Sequence, residues 1–145
     1  MRVLGVDPGT RKLGWGVVQE DGTRLVHVAH GVVMLGTGEL TDRLVAIDVA
    51  LRQVVAEHRP DQAAVEGMFY AKNAQTAAKL GHARGVILVV LRRAGLDIGE
   101  YPPAQVKRAV VGKGRADKRQ VALLVSGLLG LQDVPAEDAA DALAV

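Results

Sequence analysis

Residues 1–35, MRVLGVDPGTRKLGWGVVQEDGTRLVHVAHGVVML, carry the pattern that decides the fold. Arg2 to Val6 is a short apolar run ending at Asp7-Pro8-Gly9-Thr10, a turn signal because proline and glycine punctuate regular structure. Leu13 to Glu20 reads as a second strand, and Asp21-Gly22 is the dipeptide of a tight hairpin. Arg24 to Leu35, rich in valine, reads as a third strand. Consecutive strands joined by short turns predict an antiparallel meander.

Beyond the meander the period changes. Thr41 to His58 places Leu44, Ile47, Leu51, Val54 and Val55 at helical spacing, and Pro60 stops the helix. Gln62 to Glu66 is short and apolar, as expected of a buried strand that enters parallel to the first after a helical crossover. Asn73 to Ala94 predicts a long helix in which Ala77, Gly81 and Gly85 recur every four positions and so share one face. Glycine inside a helix costs up to about 1 kcal/mol relative to alanine. The expected compensation is close packing, either onto the sheet or onto a second copy of the helix. Asp97 to Tyr101 reads as a fifth strand, Pro103 to Val111 as a short helix, Gly112 to Gly114 as a loop and Ala116 to Leu129 as a helix. Pro135 falls near the first turn of a last helix, where proline is tolerated. The order β-β-β-α-β-α-β-α-α is the pattern of the ribonuclease H-like fold, an α/β class with a mixed five-stranded sheet and helices on both faces.

A chain of 145 residues predicts one domain, spanning 1–145, with one core. A hydrophobic content of 49% excludes disorder. There is no cysteine, which excludes disulfides, thiolate metal sites and a cysteine nucleophile, and which fits a reducing cytosol. The longest apolar stretch, Gly85 to Leu91, is far too short to span a bilayer. The chain reaches Asp7 without a signal peptide, so a cytoplasmic protein with no membrane partner is expected. Net charge is only +2 but unevenly spread. Between Gln105 and Gln120 stand Lys107, Arg108, Lys113, Arg115, Lys118 and Arg119, against the single acid Asp117. A basic patch on a mildly acidic body suggests an anionic partner bound at one place; a solvated lysine-rich loop is the plainer alternative.

The acids suggest what chemistry accompanies that partner. Asp7 ends the first strand and Glu66 ends its expected parallel neighbour, so both carboxylates should open into one crevice at the strands' C-terminal ends. Asp138 and Asp141 are three apart on the last helix and share a face. All four are hard oxygen ligands suited to Mg²⁺ or Mn²⁺. Four anionic groups at one spot repel unless cations lie between them. Two metal ions per site would clamp the attacking and leaving oxygens of a phosphodiester and require no protein nucleophile. Each acid also has a structural reading. Asp7 equally fits as the cap of its Pro-Gly turn, and Glu66 as a strand-end charge reaching solvent. Asp138 and Asp141 fit as helix-start acids favoured by the macrodipole, and Glu137 and Asp133 are left to that role. The combination, not any one position, carries the metal-site reading.

The chain resembles the RuvC family of crossover junction endodeoxyribonucleases, the bacterial Holliday junction resolvases. The resemblance rests on four ordered segments: LGVDPGTRKLGWGVV, VEGMFYAKNAQTAAKLGHARGV, QVKRAVVGKGRADKRQV and DAADALAV. It implies a Mg²⁺-dependent endonuclease that resolves four-way junctions by paired symmetric nicks in recombination and repair. It assigns Asp7, Glu66, Asp138 and Asp141 as catalytic metal ligands and places Lys107 and Lys118 near the scissile phosphate. Phe69 matches an aromatic at the junction centre, where it would stack on an unpaired base; as a sequence feature it equally suits a core position. Tyr70, Lys72, Lys113, Arg115 and Arg119 join the expected DNA-binding set. The four histidines are given no ligand role, and His82 is read as a surface helix residue. The family also implies a homodimer to which the helix near Asn73–Ala94 contributes, and a partnership with the RuvA–RuvB branch-migration motor. Members of the family usually run somewhat further than Val145, so the C-terminal end is read as truncated.

Three rival readings compete. Asp-x-Gly-Thr after a first strand also serves as the phosphate loop of actin-like and sugar-kinase ATPases, but those chains need a second domain. A nonenzymatic junction-binding module would keep the basic segment without needing the acids. A ribonuclease H-like nuclease acting on another branched or hybrid substrate would keep both.

Overall fold

The computed structural model describes residues 1–67, 73–112 and 115–145. The meander forms as expected: β1 (Arg2–Asp7), β2 (Lys12–Asp21) and β3 (Arg24–Met34) pair antiparallel, and Gly22 takes the positive φ that the hairpin requires. Helix α1 (Leu40–His58) then crosses over to β4 (Gln62–Glu66), and α2 (Ala74–Arg93) crosses to β5 (Asp97–Tyr101). Both of these strands lie parallel to β1, giving a mixed sheet in the order β3-β2-β1-β4-β5. Three helices follow: α3 (Pro103–Val111), α4 (Lys118–Leu129) and α5 (Glu137–Ala144).

Local chemistry sets the element ends. Helix α1 closes at Arg59 in a left-handed conformation, its N–H donating to the Val55 carbonyl, and Pro60 cannot continue the helix. Helix α4 begins at Lys118, later than the expected Ala116, because Asp117 is a strong cap. The Asp117 carboxylate accepts from the Gln120 N–H at 2.8 Å, while Gln120 Oε1 accepts from the Asp117 N–H at 3.2 Å. Pro135 lies just ahead of α5, before its cap Ala136, near the first turn as expected.

The central strand is covered on both faces, with alternate residues serving each. Leu4 and Val6 of β1, with Leu13, Val17 and Val65, pack beneath Ile47 and Leu51 of α1 and Ile87 and Leu91 of α2. On the opposite face α5 lies across β1 and β2, and α4 packs on α5 through a smaller cluster of Val121, Val125 and Leu143. Each fully buried valine, leucine or isoleucine contributes roughly 1.5–3 kcal/mol, so the larger cluster is the main source of stability. Among the described residues, no helix is long and apolar enough to cross a membrane.

Candidate active site

Asp7 and Glu66 are the last residues of β1 and β4. These strands pair in parallel from Val3–Gln62 to Val6–Val65, so each acid follows the last shared rung and leaves the same end of the sheet. Both are partly buried, and each carboxyl perturbs the other. Burial raises the Asp7 carboxyl, and the negative charges of Glu66 and Asp141 raise it further, to about 8. Glu66 is also raised, first by burial and then by Asp141; its bond to Asp7, and the charges of Lys118 and Lys107, pull the other way.

Asp141 reaches the same place from α5. Backbone contact makes this possible. A Cβ on Gly14 of β2 would lie 1.9 Å from the carbonyl oxygen of Asp138, and one on Gly5 of β1 would lie 1.9 Å from that of Ala142. Only glycine at both positions lets α5 lie directly on the sheet. The alternation of glycines in LGVDPGTRKLGWG therefore sets the height of the acidic helix above Asp7, a role its sequence reading did not assign. Asp141 is raised first by burial, with Lys118 opposing and Glu137 and Asp138 adding to the rise. Asp138 acts on Asp141 alone among the raised acids and is not among the charges that shift Asp7 or Glu66.

Lys118, the first residue of α4, is anchored on α5. Its Nζ is 3.2 Å from Asp141 Oδ2 and 2.5 Å from Glu137 Oε1. Burial by itself would lower this ammonium, but its bonds to the two carboxylates outweigh that and hold it above its ordinary range. Glu137, read from sequence as a helix-start acid only, is thus the second anchor of the lysine nearest the site. The one available signal was Glu137 following the basic segment at the start of an acidic helix.

As arranged, no three histidine, cysteine or acidic side chains among the described residues stand close enough together to hold one metal ion. The electrostatics nevertheless link Asp7, Glu66 and Asp141 strongly. Lys118 pairs with Asp141 on the helix side, while burial and the neighbouring acids hold the Asp7 carboxyl raised on the strand side. Hard carboxylate oxygens, clustered, half-buried and short of positive charge, fit a divalent cation.

Lys107, on α3, is near enough for its charge to act on Glu66. Arg115 and Arg119 are exposed at the start of the α4 region. Phe69, Tyr70, Lys72 and Lys113, also expected in the DNA-binding set, lie outside the described residues. His82 is exposed on α2, as expected.

A mixed sheet of ribonuclease H type, with acids leaving two adjacent parallel strand ends and two more on a helix laid over them, defines a divalent-metal-dependent nuclease. Comparison with known proteins narrows that class. Residues 3–145 match the family described as crossover junction endodeoxyribonuclease RuvC. A crossover junction endodeoxyribonuclease RuvC of Sorangium cellulosum is 59% identical over all of this chain and 82% of its own length. Thermus thermophilus RuvC in complex with Holliday junction substrate superposes with a TM-score of 0.93 at 38% identity, covering 100% of this chain and 90% of that one. A second Thermus thermophilus RuvC structure gives 0.87 at 37% identity, with the same coverage. The chain belongs to the RuvC family of crossover junction endodeoxyribonucleases.

Proposed function

We propose that the chain is a structure-selective endonuclease that resolves four-way DNA junctions by paired symmetric nicks. The proposed ligands of two Mg²⁺ ions per site are Asp7, Glu66, Asp138 and Asp141, with Mn²⁺ as a substitute. The observation that carries this reading is the placement of Asp7 and Glu66 at the ends of adjacent parallel strands, with Asp141 of α5 near enough for its charge to act on both. Carboxylates packed this tightly do not all ionise unless cations join them. When bound, such ions lower the pKa of an attacking water and stabilise the charge on the leaving 3′ oxygen.

The chain's own residues bind and orient. Asp7 and Glu66, fixed at adjacent strand ends, supply ligands from the sheet; Asp141 and Asp138 supply them from α5. Lys107 and Lys118 flank the acids and hold the phosphate of the strand to be cut, while Arg115, Arg119 and Lys113 follow the backbone on either side. Phe69, Tyr70 and Lys72 complete the DNA contacts, with Phe69 stacking on an unpaired base at the junction centre.

Two such sites are needed to nick opposing strands, and a twofold homodimer supplies them. Its proposed contact is the groove of about 530 Å³ between α1 and α2, lined by Leu44, Val45, Gly81, Gly85, Val86 and Val89. Gly81 and Gly85 have open space where a side chain would be, while Ala83, Ile87, Val90 and Leu91 are the buried residues of α2. The small-residue stripe is therefore free for a second copy of α2. Action in the cytoplasm beside a RuvA–RuvB motor completes the proposal.

The deciding experiment compares a synthetic four-way junction with linear duplex of the same sequence, with and without Mg²⁺. Symmetric nicks in the junction alone, and only with metal, are expected. Equal cutting of both substrates would overturn junction selectivity, and cutting in EDTA would overturn the metal mechanism.

A further inference from the structure

Glu66 stands one residue beyond the last rung that β4 shares with β1, because that pairing stops at Val6–Val65. On its other side it is still matched with Tyr101 of β5, and the Gly67 N–H donates to the Tyr101 carbonyl at 2.7 Å. Its own carbonyl takes a different partner. Arg84, from α2, donates Nη1–H to the Glu66 oxygen at 2.7 Å, and its Nη2 is paired with the Glu100 carboxylate on β5. The Arg84 side chain is only 13% exposed, whereas Glu100 is 52% exposed. A guanidinium stays charged, so burying one demands that its donors be met. Here the fork spans β4 and β5 and closes on the peptide that carries Glu66.

We infer that Arg84 is a positioning residue that fixes the Glu66 peptide, and through it the direction of the Glu66 carboxylate, so that metal affinity depends on a side chain that touches neither metal nor DNA. The inference rests on the reading of Glu66 as a ligand. Arg84 bonds the carbonyl and not the carboxylate of Glu66, so its effect is geometric. A misplacement of about 1 Å at a reacting group can cost roughly 10²-fold in rate, and loss of groups that orient metal ligands typically costs about 10–100-fold in metal affinity or activity.

The test uses the full chain with Arg84→Met, Arg84→Lys and the milder Glu100→Gln. Mg²⁺ binding is followed without DNA by the rise in melting temperature. Single-turnover cleavage of a four-way junction is measured across Mg²⁺ concentrations, and junction affinity is measured in Ca²⁺. For Arg84→Met we expect half-saturating Mg²⁺ to rise about 10-fold or more in both metal assays, junction affinity to stay within about twofold, and added Mg²⁺ to recover rate. Arg84→Lys should restore part of the loss, because an ammonium reaches one of the two acceptors. Glu100→Gln, which removes only an exposed partner, should shift Mg²⁺ the same way by less; if Arg84→Met fails to fold, this variant decides the question. Unchanged Mg²⁺ dependence in the folded variants would overturn the inference while leaving Glu66 as a ligand. Normal cleavage by Glu66→Gln would instead overturn the underlying reading.

Discussion

The acids of the strands and the acids of the helix reach one site by different means. Asp7 and Glu66 sit at the ends of β1 and β4, whose parallel ladder belongs to the larger core with Leu4, Val6 and Val65 at its centre. Asp138 and Asp141 ride on the eight-residue helix α5, held by backbone contact over glycines and by the smaller cluster around Leu143. On the strand side burial and the neighbouring acids hold the Asp7 carboxyl raised, and on the helix side Asp141 is paired with Lys118. Strand ends thus give fixed carboxyls with perturbed protonation. The helix gives acids whose approach depends on packing, one of which, Asp141, is already paired with a lysine. On the proposed reading, a metal ion arriving at this site displaces the Asp7 proton on one side and the Lys118 ammonium on the other.

Removing the strand side should have the largest effect. Asp7→Asn is expected to lower junction cleavage on the order of 10³-fold or more, since a bound metal supplies several kcal/mol of transition-state stabilisation. Junction affinity measured in Ca²⁺ should be retained; undiminished cutting would remove Asp7 from the mechanism. The same variant sharpens the protonation side of the comparison. In metal-free chain, folded Asp7 holds its proton up to about 8, whereas the unfolded chain releases it near 3.8. Between those values the folded state carries the extra proton, so stability falls as pH rises through that window. In EDTA, the melting temperature of the unaltered chain should therefore drop from pH 5 to about 8. Mg²⁺ should restore it at the upper end, and Asp7→Asn should flatten the dependence. An equal drop in the variant would assign it to another group.

The helix side should break through packing. A Cβ at position 14 meets the Asp138 carbonyl at 1.9 Å, and backbone cannot yield as a side chain does. Gly14→Ala should cost about 3 kcal/mol, the upper end of overpacking. For a chain of this size that lowers Tm by about 6–12 °C. Cleavage should fall further than stability explains, because α5 carries two of the proposed ligands; wild-type melting would show that α5 does not rest on β2. Lys118→Ala separates the lysine's two roles. DNA-free Mg²⁺ titration should show several-fold tighter binding, since Asp141 loses its competing cation, while junction cleavage falls. Weaker Mg²⁺ binding would show that Lys118 supports the site rather than competing within it.

The smallest effect is expected far from both pairs. Gly81 has nothing within 4 Å of an added Cβ, so Gly81→Ala should stabilise the isolated chain by about 0.5–1 kcal/mol through helix propensity. If α2 pairs with a second α2, the same methyl should weaken the dimer in sedimentation measurements. An unchanged dimer would place the contact elsewhere.

The meander, the crossover helix and the two strand-end acids were legible in sequence because each depends on local pattern: period two, period 3.6, and a turn signal directly after Asp7. The start of α4 was misplaced by two residues because the Asp117–Gln120 capping box outweighed the apolar pattern. Glu137 was read as a helix-start acid, and that is correct locally, since it lies in the first turn of α5. Its bond to Lys118 depends on how α4 packs on α5, which no local signal encodes.

By itself, then, the sequence determined the order of elements, the family, and which acids to consider, because those follow from short-range patterns and ordered motifs. Only the tertiary structure decided how the acids divide the burden of their charge. That outcome depends on burial, on the height at which Gly5 and Gly14 let α5 lie, and on Lys118 and Arg84 reaching in from other layers. These are distances between residues far apart in the chain, and a linear pattern does not contain them.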